Sequence, residues 1–216
     1  MSDAATPSFA ARLSTEQLAL LRAGKRWLLL YVAATSLPFI GIDYAYPSVD
    51  PGYVFLTSVF FFAAGYGLMW KLLDLVGVRV VTGIGTYFMI GCVTGVAVVV
   101  GLIVFVVPGL YLILRWLAAY PRAMASDNGV GSAMFWSWDK TQPHQQALAL
   151  ALVPPVVVLA ATYLPALIWT EYEPVSDLTF GAVLAFVYLA SAIGYAWLTL
   201  LMVATYRALV GAYPEG

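Results

Sequence analysis

Arg115 is the one cation that stands well inside an apolar run, Leu110 to Ala125, rather than at its edge. A charged side chain deep in a bilayer costs at least about 2.5–3.5 kcal/mol on insertion scales unless it reaches the interface or finds a partner. Two roles follow. The guanidinium can snorkel to the inner headgroups, or it can stay within a helix bundle and donate to freed backbone carbonyls or, bidentately, to a lipid phosphate. Tyr120 and Arg122 come about one to two helical turns later, where a headgroup would sit. Trp136 and Trp138 follow in a short aromatic run and favour the headgroup zone. Arg115, Tyr120, Arg122, Trp136 and Trp138 are therefore the expected lipid or partner contacts.

Other chemistry was sought in the same way. No set of His, Cys, Asp and Glu has metal-ligand spacing, so no metal and no cofactor is expected. His144, beside Pro143 in a polar stretch, reads as a solvated loop histidine. No glycine-rich phosphate cradle and no nucleophile elbow occurs, which leaves no catalytic constellation. A mid-membrane carboxylate would mark a proton relay. Asp43 and Asp74 instead fall at opposite ends of their helices. Cys92 is the only cysteine; it cannot form an internal disulfide and reads as a small packing residue.

The elements that must position these residues are membrane helices. Hydrophobic residues make up 62% of the chain and charged residues 10%, with a mean hydropathy of +0.89. Soluble domains run near 45–50% and 25%, and only lipid can cover the excess. The net charge of −1 gives no basic face for nucleic acid. The fold class expected is all-α: an integral bundle of six transmembrane helices, with short interfacial amphipathic helices at the N-terminus and in the 126–146 loop.

A crossing helix needs about 20 apolar residues. Candidate spans are Trp27 to Tyr44 with Pro38 inside, Tyr53 to Trp70, and Gly83 to Val107. After the Pro108-Gly109 break come the short stretch Leu110 to Ala125, then Ala147 to Trp169 with three prolines, and Leu178 to Val203. Residues 1–24 form a cytoplasmic interfacial segment, with Ser14 and Gln17 spaced as a capping box. Residues 25–210 form the membrane domain, and 211–216 a cytoplasmic tail. The first segment lacks a convincing small-residue cleavage site and reads as uncleaved.

Parity of the fourth stretch decides the topology. If Leu110 to Ala125 crosses, all ten lysines and arginines fall on one side, while Asp43, Asp50, Glu171, Glu173 and Asp177 occupy the other. If it does not cross, Arg115, Arg122, Lys140 and Arg207 move outside. Positive residues near span ends stay in the cytoplasm, so the charges favour six spans, with both termini inside a bacterial inner membrane. Small residues let membrane helices approach closely. Gly91 with Gly95, extended by Gly83 and Gly101, and Ala190 with Gly194 beside Ala192 with Ala196, are the expected packing faces, with their two helices at the centre of the bundle. A homodimer through the glycine pair is the alternative use of that face.

The stretch Val107 to Thr141, VPGLYLILRWLAAYPRAMASDNGVGSAMFWSWDKT, resembles a bacterial six-span family. That family includes the membrane domain fused to some glycerophosphodiester phosphodiesterases and the related YciC-like inner-membrane proteins. Pro108, Gly109, Tyr111, Arg115, Pro121, Gly129, Ala133, Ser137 and Trp138 occupy the positions of its pattern, with Pro108-Gly109 as a structural turn. Where the family carries basic residues around Ser137, this chain has Phe135, Trp136 and Asp139. The resemblance implies a six-helix inner-membrane fold without a settled activity, and no phosphodiesterase domain lies within these residues. Two functions fit: a non-enzymatic binding or scaffolding protein, such as an accessory subunit of a larger membrane complex, and a small carrier or lipid-handling protein with a cavity near Arg115. Membrane lipids and other membrane subunits are the expected partners.

Overall fold

A computed structural model describes residues 7–46, 51–104, 106–165 and 177–212, without side chains at 102, 104, 106 and 212. Among the described residues there are helices and no strand: α1 Phe9–Ala45, α2 Pro51–Leu75, α3 Ile84–Val104, α4 Val106–Arg115, α5 Ala119–Ala125, α6 Gly129–Thr141, a 3-10 turn Gln142–His144, α7 Gln145–Ala161 and α8 Asp177–Ala212. The chain is an all-helical membrane protein. Five stretches are long and apolar enough to cross a bilayer: Phe9–Ala45, Pro51–Leu75, Ile84–Gly101, Gly129–Ala161 and Asp177–Gly211. Asp50, Glu171, Glu173 and the end of the fifth expected span lie outside the described residues.

α1 is one helix of 37 residues, about 55 Å. It does not begin at the expected capping box. Ser8 accepts the Ala11 amide at 3.3 Å, whereas Ser14 is already interior and donates to the Ala10 carbonyl at 2.8 Å. No breaker separates the lead from the span, so helix runs through Lys25 and Arg26 without interruption.

The chain divides into two compact units. One consists of Lys25–Leu68 and Val153–Thr199. Its aromatic core sets Phe39 at 4.8 Å from Phe61 and 5.4 Å from Phe60, ring centre to ring centre. Gly194 of α8 faces Leu159 of α7, whose side chain lies 2.7 Å from where a Cβ would stand. This expected small-residue position is a point of close approach.

The other unit consists of Met1–Gly24, Met69–Leu152 and Leu200–Gly216. The start of α1 is docked there by Leu13 and Leu20, both buried, and by the Phe9 ring stacked on His144 at 3.9 Å. His144 is thus packed rather than solvated. Glu16 approaches Arg207 of α8 at 3.6 Å. α2 ends at Gly77, whose φ of 73° suits glycine; its amide donates to the Asp74 carbonyl and that of Val78 to the Leu73 carbonyl, both at 3.0 Å.

From there α3 and α4 form a hairpin. A Cβ on Gly101 would lie 3.0 Å from Gly109 Cα, so the two backbones touch there. Gly95 meets nothing within 4 Å, and Cys92 is exposed. α3 is the least covered of the apolar helices, with 11% of its apolar window buried against 39% for α8. The expected central place therefore suits α8 and not α3, whose apolar residues surround the helix and need lipid on most sides.

The fourth stretch is broken in two, α4 and α5, and neither half alone could cross. Together they retrace α3. The amides of Val81 and Thr82, just before α3, donate to the Met124 carbonyl at 2.9 and 3.3 Å, and Thr82 Oγ1 donates to the Ala123 carbonyl at 2.7 Å. The segment that leaves the far end of α3 thus returns to the level where α3 began, over about 30 Å. Whatever thickness α3 spans, α4 and α5 span back.

Candidate functional site

The break between α4 and α5 makes the site. Arg115 ends α4, and the Ala119 amide donates to the Trp116 carbonyl at 3.0 Å rather than to that of Arg115. The Arg115 carbonyl is left without its helical donor. α6 supplies replacements: Ser137 Oγ donates to it at 2.8 Å, and Thr141 Oγ1 lies 3.2 Å away, nearer still to the Ser137 carbonyl at 2.7 Å. One hydroxyl proton cannot serve both, so Ser137 is the principal donor. Ala133, Ser137 and Thr141 recur every four residues and are all buried, forming the stripe by which α6 docks. Ile90, Ala119, Ala123 and Ala133 build the apolar cluster beside them.

This docking places a tryptophan on each flank of Ser137. Trp138 lies under the Arg115 guanidinium, with Cζ 4.4 Å from its ring centre, and Tyr111 lies 5.8 Å away. Those two rings meet edge to face at 5.8 Å. Trp136 takes the other arginine: Arg122 Cζ lies 4.9 Å from its ring centre, and Tyr206 of α8 packs at 5.7 Å. Tyr120 turns away from both, sharing a hydrogen bond of 2.7 Å with Thr94 of α3 and meeting Tyr87 edge-on.

The five expected contact residues thus resolve into two cation–aromatic pairs and a separate tyrosine. Tyr111 belongs with the first pair. Ser137 and Thr141 hold its backbone, a role the sequence pointed to only through the spacing of buried positions on α6. Of the small-face residues, Gly194 and Gly101 make close approaches, the latter to Gly109, and Ala190 and Gly91 are half-buried.

Arg115 is 1% exposed, and neither Nε nor Nη1 has a hydrogen-bond partner among the described residues. A desolvated cation–π contact contributes about 2 kcal/mol or more. Each buried donor left unmet costs about 1–3 kcal/mol, and more when charged. The unmet donors outweigh the ring, so the side chain is poised for an acceptor. Of the acids described in this unit, Asp74 pairs with Lys71 at 2.6 Å, Glu16 lies by Arg207 and Asp139 by Lys140, each at 3.6 Å, while Asp127 is exposed.

A second polar cluster occupies the other unit. Asp43 of α1 accepts from Tyr53 at Oδ1, 2.5 Å, and from Tyr188 at Oδ2, so two phenols satisfy the carboxylate. Two open cavities are lined by Arg26, Trp27 and Leu30, about 370 Å³, and by Asp139, Lys140, Gln142 and Pro143, about 510 Å³. No group of three His, Cys, Asp or Glu that could hold a metal occurs among the described residues. No protein-family model, no curated protein and no solved structure matches this chain.

Proposed function

We propose that this membrane protein acts by binding rather than by catalysis, as a scaffold or accessory subunit of a larger assembly in a bacterial inner membrane. One observation carries the choice of scaffold over carrier. Four of the five buried hydroxyls of the long helices turn back on their own backbones: Thr35 to the Tyr31 carbonyl, Ser36 to Val32, Thr94 to Ile90 and Thr199 to Tyr195, at 2.6–2.8 Å; Thr205 of α8 alone lacks a partner among the described residues. Hydroxyls so engaged do not line a polar route for a solute, and they leave helix surfaces free for apolar partners. The charge distribution supports six spans with both termini cytoplasmic, and the resemblance over Val107 to Thr141 supports a place among the six-span inner-membrane proteins. Crosslinking in native membranes followed by mild-detergent purification tests the proposal. A defined partner at constant stoichiometry is the expected result; a lone monomer with no crosslinked partner would sink it.

A second reading has its own support. The buried Arg115, with Nε and Nη1 unmet, favours a lipid-handling protein whose bound lipid reaches that arginine. Phospholipid retained through delipidating detergent washes is expected on that reading, and complete loss of lipid from the wild-type chain counts against it.

A further inference from the structure

We infer that Arg115 is an oxyanion site whose ligand is a phosphate group, either a phospholipid headgroup or a free phosphate; the inference rests on the lipid-handling reading above. The Arg115 Cζ lies 4.4 Å from the Trp138 ring centre and 5.8 Å from that of Tyr111, contacts that use the cation's charge but none of its N–H donors. A guanidinium has two bidentate forks, one formed by Nε with a terminal nitrogen and one by the two terminal nitrogens. Nε belongs to the first and Nη1 to the second, and neither has a partner, so each fork keeps an open donor. Planar forks of this kind match oxyanions, whereas a lysine in the same place would offer a point charge.

Among the described carboxylates of this unit, Asp74, Glu16 and Asp139 each lie beside another cation and Asp127 is exposed. Arg115 is almost fully buried, with Trp138 of α6 against its guanidinium and Ser137 of α6 on its carbonyl, so binding at the guanidinium is coupled to the seating of that helix.

The test uses the full chain in detergent micelles, as wild type, Arg115→Lys and, as a control at an exposed arginine outside the site, Arg22→Gln. Arg115→Lys keeps the charge and so guards against loss of folding. Retention of phosphatidylglycerol and of diacylglycerol with the same acyl chains is read by native mass spectrometry, and inorganic phosphate by its shift of the thermal melt. Expected is phosphatidylglycerol retained at least tenfold more than diacylglycerol, with that preference lost in Arg115→Lys and kept in Arg22→Gln. A melt raised by inorganic phosphate in the wild type alone, without phospholipid retention, supports the site with free phosphate as its ligand and removes the lipid reading. Equal retention of both lipids in all three proteins, with no phosphate effect, overturns the oxyanion site while leaving lipid handling in place. No retention of either lipid and no phosphate effect overturns both.

Discussion

The carbonyl of Arg115 and the half-buried carboxylate of Asp43 pose the same problem at residue scale: an acceptor withdrawn from water that some donor outside its own helix must meet. For Arg115 the donor is Ser137 on α6, with Thr141 as understudy at 3.2 Å. Ser137→Ala should therefore cost only about 1 kcal/mol, since the Thr141 hydroxyl can swing from the Ser137 carbonyl to take over. Adding Thr141→Val leaves the carbonyl unmet, and the pair should cost more than the sum of the two singles. A double-mutant cycle on thermal or denaturant unfolding in detergent reads this coupling; strict additivity would mean the two hydroxyls do not share that acceptor. At Asp43 each phenol serves a different oxygen. Tyr188→Phe removes a bond to a charged acceptor, worth about 1.5–3 kcal/mol. Unfolding should show that loss, with little change in Tyr188→Phe when Asp43→Asn is already present.

Among elements, much was legible from composition and some was not. Apolar runs of about the right length marked α2 and α3, because nothing but helix satisfies a backbone in hydrocarbon; the expected turn at Pro108-Gly109 did not, for α3 ends at Val104 and both residues lie in the first turn of α4, where a proline needs no amide donor. Asp127-Asn128-Gly129 marked the turn into α6, where Gly129 adopts a φ of 79°. The continuity of α1 was not legible, because a capping box is also an ordinary pair of helix-interior residues. The union of Arg115 with Trp138 was not legible either, since it is made by a docking of α6 that no local spacing encodes.

The small-residue faces show the same limit. The spacing of Gly91 and Gly95 fits a tight crossing, yet the crossing occurs at Gly101, against Gly109. A spacing names a smooth surface without naming what lies on it. Gly101→Val should therefore push α4 off α3 and cost about 1–3 kcal/mol by overpacking, while Gly95→Val should be nearly neutral in the monomer. Comparison of the two melting temperatures decides it. A larger loss at Gly95 with unchanged oligomeric state would contradict the hairpin geometry, and loss of a dimer at Gly95 would give that open glycine its use.

For the whole molecule the decisive question is how many times the chain crosses, because every statement about sides depends on parity. The apolar helices alone give five clear candidates, an odd number that would separate the termini. A sixth crossing would have to come from the broken α4–α5 segment, whose end is hydrogen-bonded to the residues just before α3. That pairing ties Asp127 to the same side as Arg79, and six crossings then put Asp177 on the opposite side from both. Single cysteines at 127 and at 177, in a Cys92→Ser background, test it with a membrane-impermeant maleimide on intact cells or spheroplasts. Position 177 should label from outside, and position 127 only after permeabilisation. Labelling of both from outside would mean that α4 and α5 lie on the surface beside a tilted α3, placing Arg115 in headgroups rather than in the membrane. A buried guanidinium would then need no special ligand, so this measurement also bears on whether the unmet donors of Arg115 have to be filled.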